Sequence, residues 1–179
     1  MILLSLTAEP SQQEKIVHIY QNYYCCMAHT AGKYLRNKAD IEDTVHDCIV
    51  KLLSVIDTLD TSDEVKLRHL CGVVARNTAI NRIKEKRNEV LPLEEVFDIS
   101  SEDTPETLTM SNETVNILKR AIEALGDTYK DVCRLKYING LKERQIAALL
   151  DLSEKTVNQR IFRGKKILRK ALEKESINE

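Results

Sequence analysis

Thr156, Asn158, Gln159, Arg160, Arg163 and Lys166 lie in one short stretch near the end of the chain, and their side chains suit one kind of chemistry. Amide and guanidinium groups donate to the edges of nucleobases, the amides accepting as well, while Lys and Arg hold phosphate oxygens. A stripe of this kind reads a duplex only if it stands clear of its support. Residues 141 to 170 spell out such a support. Ile146, Ala147, Leu149 and Leu150 form an apolar run behind Lys142, Glu143, Arg144 and Gln145, giving a helix that stops at Asp151, a residue that tolerates the left-handed conformation better than most. Ser153 is an N-cap type for a second helix from Glu154 to about Glu173. A link this short makes the two helices cross steeply, in helix-turn-helix fashion. Val157, Ile161, Gly164 and Leu168 recur at helical spacing and are expected to pack on the first helix. Between positions 142 and 170 nine Lys or Arg stand against three Asp or Glu, so a chain of net charge −1 hides a basic end. An amphipathic hairpin with merely solvated charges shares the periodicity, but not the cap, the short turn and the clustered charge together.

The stretch resembles the C-terminal DNA-binding domain of bacterial RNA polymerase sigma factors, above all the extracytoplasmic-function group, in which a "TV-polar-polar-R-hydrophobic-x-R-small" run opens the recognition helix. Thr156, Val157, Arg160, Arg163 and Gly164 match it in order. The resemblance implies that Thr156, Asn158, Gln159, Arg160, Arg163 and Lys166 read an upstream promoter element.

Composition fits a helical protein of one domain or two small ones: 179 residues, five Gly, three Pro, no Trp and 31% charged residues. The apolar opening MILLSL is too short for a signal peptide's hydrophobic region and lacks basic residues before it, which argues against export, and no stretch approaches a membrane span. Five Cys, two of them adjacent at Cys25 and Cys26, make neither a disulfide framework nor a C-x-x-C metal pattern and fit reduced thiols in a cytoplasm.

Taken in order, Ser11 to Glu14 has the form of a capping box, followed by a stripe of Ile16, Ile19, Tyr20, Tyr23, Met27 and Ala31 that carries a first helix to about residue 34 or 35. Its tyrosines suit core positions with hydroxyls at the rim better than base stacking. Asp40 is the expected cap of the next helix, with Ile41, Val45, Cys48, Leu52 and Val55 facing inward. From 40 to 64 eight acidic residues face the single Lys51, a surface that suits a basic protein and repels DNA. Asp40, Glu42, Asp43, Val45 and Leu52 also match the sigma-factor segment written D-A-E-D-L-V-Q-E-V-F-L-x-L-W, with His46, Asp47, Ile49 and Leu53 departing from it. The resemblance implies that Asp40, Glu42, Asp43, His46 and Asp47 dock on core polymerase.

After a polar loop at 59 to 65, a helix from about 66 to 86 turns Leu67, Leu70, Cys71 and Val74 inward, and its charge reverses: Lys66, Arg68, Arg76, Arg82, Lys84, Lys86 and Arg87 oppose only Glu85. The family's "W-L-x-x-I-A-R-N-x-A-x-D-x-x-R" is matched at Leu70, Ala75, Arg76, Asn77 and Ala79, with His69 for its Trp and Asn81 for its Asp. By resemblance, Arg68, Arg76, Asn77, Asn81, Arg82 and Lys84 hold the melted promoter strand. Residues 88 to 113 hold eight acidic residues, no Lys or Arg, and Pro92 and Pro105, a composition that reads as an acidic flexible linker. A helix from Thr114 to Leu125, ended by Gly126, and another capped by Asp127 or Thr128 and stopped at Asn139-Gly140, then support the terminal hairpin. This frame, with Leu135, Tyr137, Gly140 and Leu141, again resembles the family, so that the likeness covers about residues 12 to 172.

The expectation is therefore an all-α chain: residues 1 to 87 bind polymerase and melt the promoter, 88 to 113 link, and 114 to 179 form a helix-turn-helix domain. Implied partners are core RNA polymerase and promoter DNA, with room for an anti-sigma factor. No cofactor, metal or small-molecule substrate is expected. The competing reading is a dimeric helix-turn-helix regulator that acts without polymerase, although no heptad run is visible to drive pairing. An enzyme would need His46-Asp47 to join His18 or His29 as a metal site, and no Walker loop or Gly-rich phosphate cradle is present.

Overall fold

The periodic stretches all become helices in the computed structural model, which describes residues 9–86 and 112–175. In chain order they are α1 (Pro10–Gly32), α2 (Lys38–Leu53), a short 3-10 turn (Ile56–Thr58), α3 (Glu64–Lys86), α4 (Asn112–Glu123), α5 (Asp127–Tyr137), α6 (Glu143–Leu150) and α7 (Glu154–Glu175). The fold is all-α, and no strand occurs among the described residues. The acidic stretch expected to link the two halves lies outside the described residues except for its last two, Asn112 and Glu113, which open α4.

Several helix ends differ from expectation. The first helix starts at Pro10 rather than after Ser11: Glu9 is its N-cap and forms the reciprocal capping box with Gln12, and Pro10 occupies the first turn, where its missing amide is not needed. Asp40 does not cap α2. Asn37 does, its side chain accepting from the Ala39 amide at 3.0 Å, which leaves Asp40 in the first turn where the helix dipole favours a carboxylate. Gly126 is extended (φ −61, ψ 152) and is the N-cap of α5 rather than a left-handed stop for α4. The stop at Asn139-Gly140 is as expected, with Gly140 at φ +69 and the Leu141 amide returning to the Leu135 carbonyl at 3.1 Å.

The first three helices pack on one another through Ile16, Ile19, Tyr23, Met27, Val45, Leu52, Leu67, Leu70 and Val74, all buried. Each such side chain contributes about 1.5–3 kcal/mol relative to exposure. Among the last four helices, α5 and α7 form the main contact. There Ile122, Leu125, Cys133 and Leu168 make a second cluster, so the C-terminal half of α7 packs on α4 and α5 rather than on α6 as the spacing of Gly164 and Leu168 had implied. The two halves also touch. α6 lies against α2 and α3, and Val132, Leu135, Leu141, Ile146, Leu149, Leu150 and Val157 are continuous with the core of α1 to α3. Burial pushes the thiols of Cys48 and Cys133 up to about 11 and that of Cys71 to about 12, so these three are neutral packing groups.

Candidate nucleic-acid interface

α6 and α7 are joined by residues 151 to 153. Asp151 takes the left-handed conformation (φ 53, ψ 45), and the Leu152 amide returns to the Ala147 carbonyl at 3.0 Å, closing α6. Ser153 Oγ accepts from the Thr156 amide at 3.0 Å and so caps α7. Thr156 is drawn into that cap, its hydroxyl 2.8 Å from Ser153 Oγ, which places it as a helix-start residue beside the polar stripe. Val157 is fully buried on the α6 side. Asn158, Arg163 and Lys166 are exposed, and Gln159 and Arg160 half-buried. Arg160 Nε is buried and finds no hydrogen-bond partner among the described residues. Gly164 sits where α7 crosses α5, and a Cβ there would collide with Cys133 Sγ.

The second basic surface, on α3, is differently disposed. Arg68 is exposed, its guanidinium 5.9 Å from the centre of the Tyr23 ring. Lys84 is half-buried. The other four candidates are engaged. Arg76 pairs with Asp131 of α5, and Asn77 donates to the Val73 carbonyl at 2.9 Å with Asp131 a further 3.4 Å neighbour. Asn81 donates to Asp151 at 2.9 Å, and Asp151 is also paired with Lys51 of α2. Lys51, the one cation in the acidic segment, donates to Thr78 as well, at 3.0 Å.

Arg82 reaches the acidic face of α2, 3.2 Å from Asp43 and 2.6 Å from Asp47, with Asp40 at 4.0 Å, and Lys86 takes Asp40 at 2.6 Å. Burial works against the charge on Arg82, but hydrogen bonds to Asp47 and Asp43 outweigh it and hold its pKa above the ordinary value. Asp43, His46 and Asp47 nevertheless remain exposed on one side of α2, with Val50 (65% exposed) beside them; Glu42 is half-exposed and has Lys38 at 3.8 Å. His46 and Asp47 form a solvent-facing stripe, with Asp47 already held by Arg82, and no group of three or more His, Cys, Asp or Glu that could hold a metal ion occurs among the described residues. Sequence reasoning separated the acid face from the basic helix, and missed that Lys51, Asp131 and Asp151 tie them to the last four helices. A lone Lys among eight acids was the available signal.

Two family descriptions fit the chain in this order: "Sigma-70 region 2" over residues 19–89 and "Sigma-70, region 4" over residues 116–168. The chain belongs to the sigma-70 family. Its relatives place it in the extracytoplasmic-function branch. It is 29% identical over 169 residues to "ECF RNA polymerase sigma factor SigW" of Bacillus subtilis (strain 168), covering 88% of this chain and 87% of that protein. It is 25% identical over 148 residues to "RNA polymerase sigma factor SigV" of the same organism (83% and 85% covered), and 28% identical over 140 residues to "ECF RNA polymerase sigma-E factor" of Escherichia coli (strain K12), with 72% of each chain covered. A solved structure titled "Structure of CnrH in complex with the cytosolic domain of CnrY" overlaps loosely, with TM-score 0.36 and 17% identity over 95% of this chain and 92% of that one. This sigma factor thus has region 2 on α1 to α3 and region 4 on α4 to α7. It is a polymerase-binding factor that sets promoter specificity, and region 4 takes in α6 and α7 as far as residue 168.

Proposed function

We propose that this sigma factor divides initiation among three surfaces. The face of α2 carrying Asp40, Glu42, Asp43, His46 and Asp47 docks on a basic surface of core RNA polymerase. Arg68, Arg76, Asn77, Asn81, Arg82 and Lys84 of α3 hold the unpaired promoter strand, and Asn158, Gln159, Arg160, Arg163 and Lys166 of α7, with Thr156 at its start, read the upstream duplex. Residues 1–87 and 114–179 act as separate domains on the promoter, joined by the acidic stretch between them. The single observation that supports this most is the α7 stripe, presented on a capped helix-turn-helix with Asn158, Arg163 and Lys166 exposed, where amide, guanidinium and ammonium donors can reach base edges and phosphates.

The protein works in the cytoplasm, where core polymerase is. Among its described residues no helix is long and apolar enough to cross a membrane. It acts as a binding factor without catalytic chemistry of its own, and an anti-sigma protein is a further partner that the exposed acidic face and Val50 would suit. Transcription from genomic template by purified core polymerase plus this chain tests the reading. Discrete start sites are expected. Arg160→Ala should lose about 2 kcal/mol of upstream-element recognition while polymerase binding is kept. Absence of any initiation would reject it in favour of a dimeric regulator, and equal promoter use by Arg160→Ala and parent would reject the reading role of Arg160.

A further inference from the structure

A cleft of about 550 Å³ lies between α3 and α5, a size that suits a small molecule rather than a lone ion. Lys130, Asp131 and Arg134 of α5 form one wall, and His69, Gly72 and Val73 of α3 the other. Two features of the α3 wall are not explained by packing. His69 Nε2 is buried without a partner among the described residues. Gly72 stands inside α3, where glycine is a poor helix former, yet a Cβ there would meet nothing within 4 Å, in contrast to Gly164, where it would strike Cys133. No close approach of protein groups requires Gly72, and what its missing side chain leaves is room in the cleft.

Charge decides what such a space accepts. Arg68, Arg76, Lys130 and Arg134 line it against Glu123, Asp127 and Asp131, but the two signs are unevenly placed. The side chains of Asp127 and Glu123 are 84% and 51% exposed and hang at the mouth, whereas those of Lys130 and Arg134 are 24% and 17% exposed and belong to the wall, although each reaches toward its carboxylate. Asp131 is spoken for by Arg76, and Arg68 is exposed with no carboxylate on it among the described residues. α5 also begins at the cleft, with Gly126 as its N-cap, so no side chain caps its first amides and the positive end of the helix is open at the same place. Burial lowers the pKa of Arg134 and, first among its causes, that of His69, which the charges of Arg134, Arg76 and Lys130 lower further. The interior is therefore short of negative charge.

We propose that this cleft is a binding site for a small-molecule phosphate, its phosphate held by Arg68, Lys130, Arg134 and the first amides of α5, with His69 Nε2 donating to a phosphate oxygen and the body of the molecule lying over Gly72 and Val73. A phosphate supplies what these groups lack, an array of charged acceptor oxygens. A metal cation is refused by the same field, and a purely apolar molecule would leave His69 Nε2 as it is. Occupancy adds to the stability of the folded chain by mass action.

The test adds inorganic pyrophosphate to the full chain in metal-free buffer, with binding read by titration calorimetry and the histidine ring signals followed by NMR. A single saturable site is expected, shifting the His69 signal and leaving those of the exposed His18, His29 and His46 in place. Lys130→Gln removes a wall cation and should weaken binding about tenfold, the worth of one hydrogen bond to a charged group. Gly72→Leu fills the cleft from a position where the added Cβ meets nothing, so it should weaken binding at least as much while helical circular dichroism and Tm are kept. Lys38→Gln alters a cation of α2 whose side chain is 91% exposed, and should bind as the parent does. If Gly72→Leu loses its helical signal, Lys130→Gln decides, and parent-like affinity in it would overturn the site. No saturable binding at millimolar pyrophosphate, an unmoved His69 signal, or an equal loss in Lys38→Gln, the mark of diffuse surface charge, would overturn it as well.

Discussion

α3 and α7 are both basic helices of one chain, yet they are in opposite states. On α7, Asn158, Arg163 and Lys166 face solvent, and Arg160 Nε has no partner among the described residues. On α3, Arg76, Asn77, Asn81 and Arg82 already hold carboxylates of the same molecule. Basic composition therefore does not by itself mark a surface ready to bind. The difference lies in the neighbours: α3 is flanked by the acidic α2 on one side and by Asp131 and Asp151 on the other, whereas α7 stands at the end of its half, supported on α5 and α6. Asn158, Arg163 and Lys166 can meet a ligand as they stand, whereas the α3 groups must first leave their carboxylates.

The comparison breaks most visibly at Arg76. If its guanidinium chiefly serves the folded chain while the halves are closed, Arg76→Ala strands a nearly buried carboxylate at Asp131. Loss of one partner of such a pair should cost about 3 kcal/mol of unfolding free energy in urea melts. No side chain of the α7 stripe should cost comparable stability, since none of Asn158, Arg163 or Lys166 is buried. A Arg76→Ala chain as stable as the parent would mean that α3 is as free as α7.

Second in size is the seat of α7. Gly164 is not there to relax the backbone: it lies inside a helix, and its lack of a side chain lets α7 close on Cys133, Tyr129 and Leu125. Gly164→Ala should cost about 2 kcal/mol by overpacking and should depress upstream-element binding while sparing capture of single strands by α3. Cys133→Ala in the same chain should restore part of the loss, because the buried Sγ is what the new methyl meets. Thermal unfolding of the single and double variants checks this.

Much of that architecture was legible in the sequence because it is local. Ser153 as a cap, Asp151 as a left-handed stop, Gly140 as a terminator and the inward stripes of α2 and α3 follow from periodicity and from the few residue types that satisfy helix ends. The caps that failed did so for a local reason too. Glu9 and Asn37 compete with nearby Ser11 and Asp40 for one role, and spacing alone does not rank them. Non-local pairing was not legible. Arg82 reads as a strand-holding cation by type, and only the fold brings Asp43 and Asp47 to it, from 39 and 35 positions away. The same holds for Asn81 and Asp151, 70 residues apart.

Arg82 also makes the acidic face a weaker effect than its charge suggests. Asp43→Lys with Asp47→Lys removes two of its three carboxylate neighbours and sets like charges beside it, so stability should fall by about 1 kcal/mol, in keeping with partly exposed ion pairs. The same variant should release Arg82 toward nucleic acid while weakening association with core polymerase. A pull-down on core polymerase, together with oligothymidylate anisotropy, distinguishes the two consequences. Lost association with unchanged strand binding would show that Arg82 is not shared between them.

The last expected effect is a pH dependence that reports whether α3 is covered. His69 lines a cleft of about 550 Å³ between α3 and α5, alongside Arg68, Arg76, Lys130 and Arg134 and the carboxylates Glu123, Asp127 and Asp131. Its Nε2 is buried with no partner among the described residues. Burial first, then the charges of Arg134, Arg76 and Lys130, lower its pKa from 6.5 to about 4. Between those two values the unfolded chain binds a proton that the folded chain refuses, so this contribution to stability is fully present above pH 6.5 and is lost as the pH falls toward 4. His69→Gln should flatten that part of the profile. Two of the three cations, Lys130 and Arg134, belong to α5, so separation of the halves removes them and lets water reach the ring. The slope should then shrink in Asp131→Asn/Asp151→Asn even with His69 in place. A slope that survives in the double variant would mean that the His69 environment is built by α3 alone, and that the two basic helices differ less than their contacts imply.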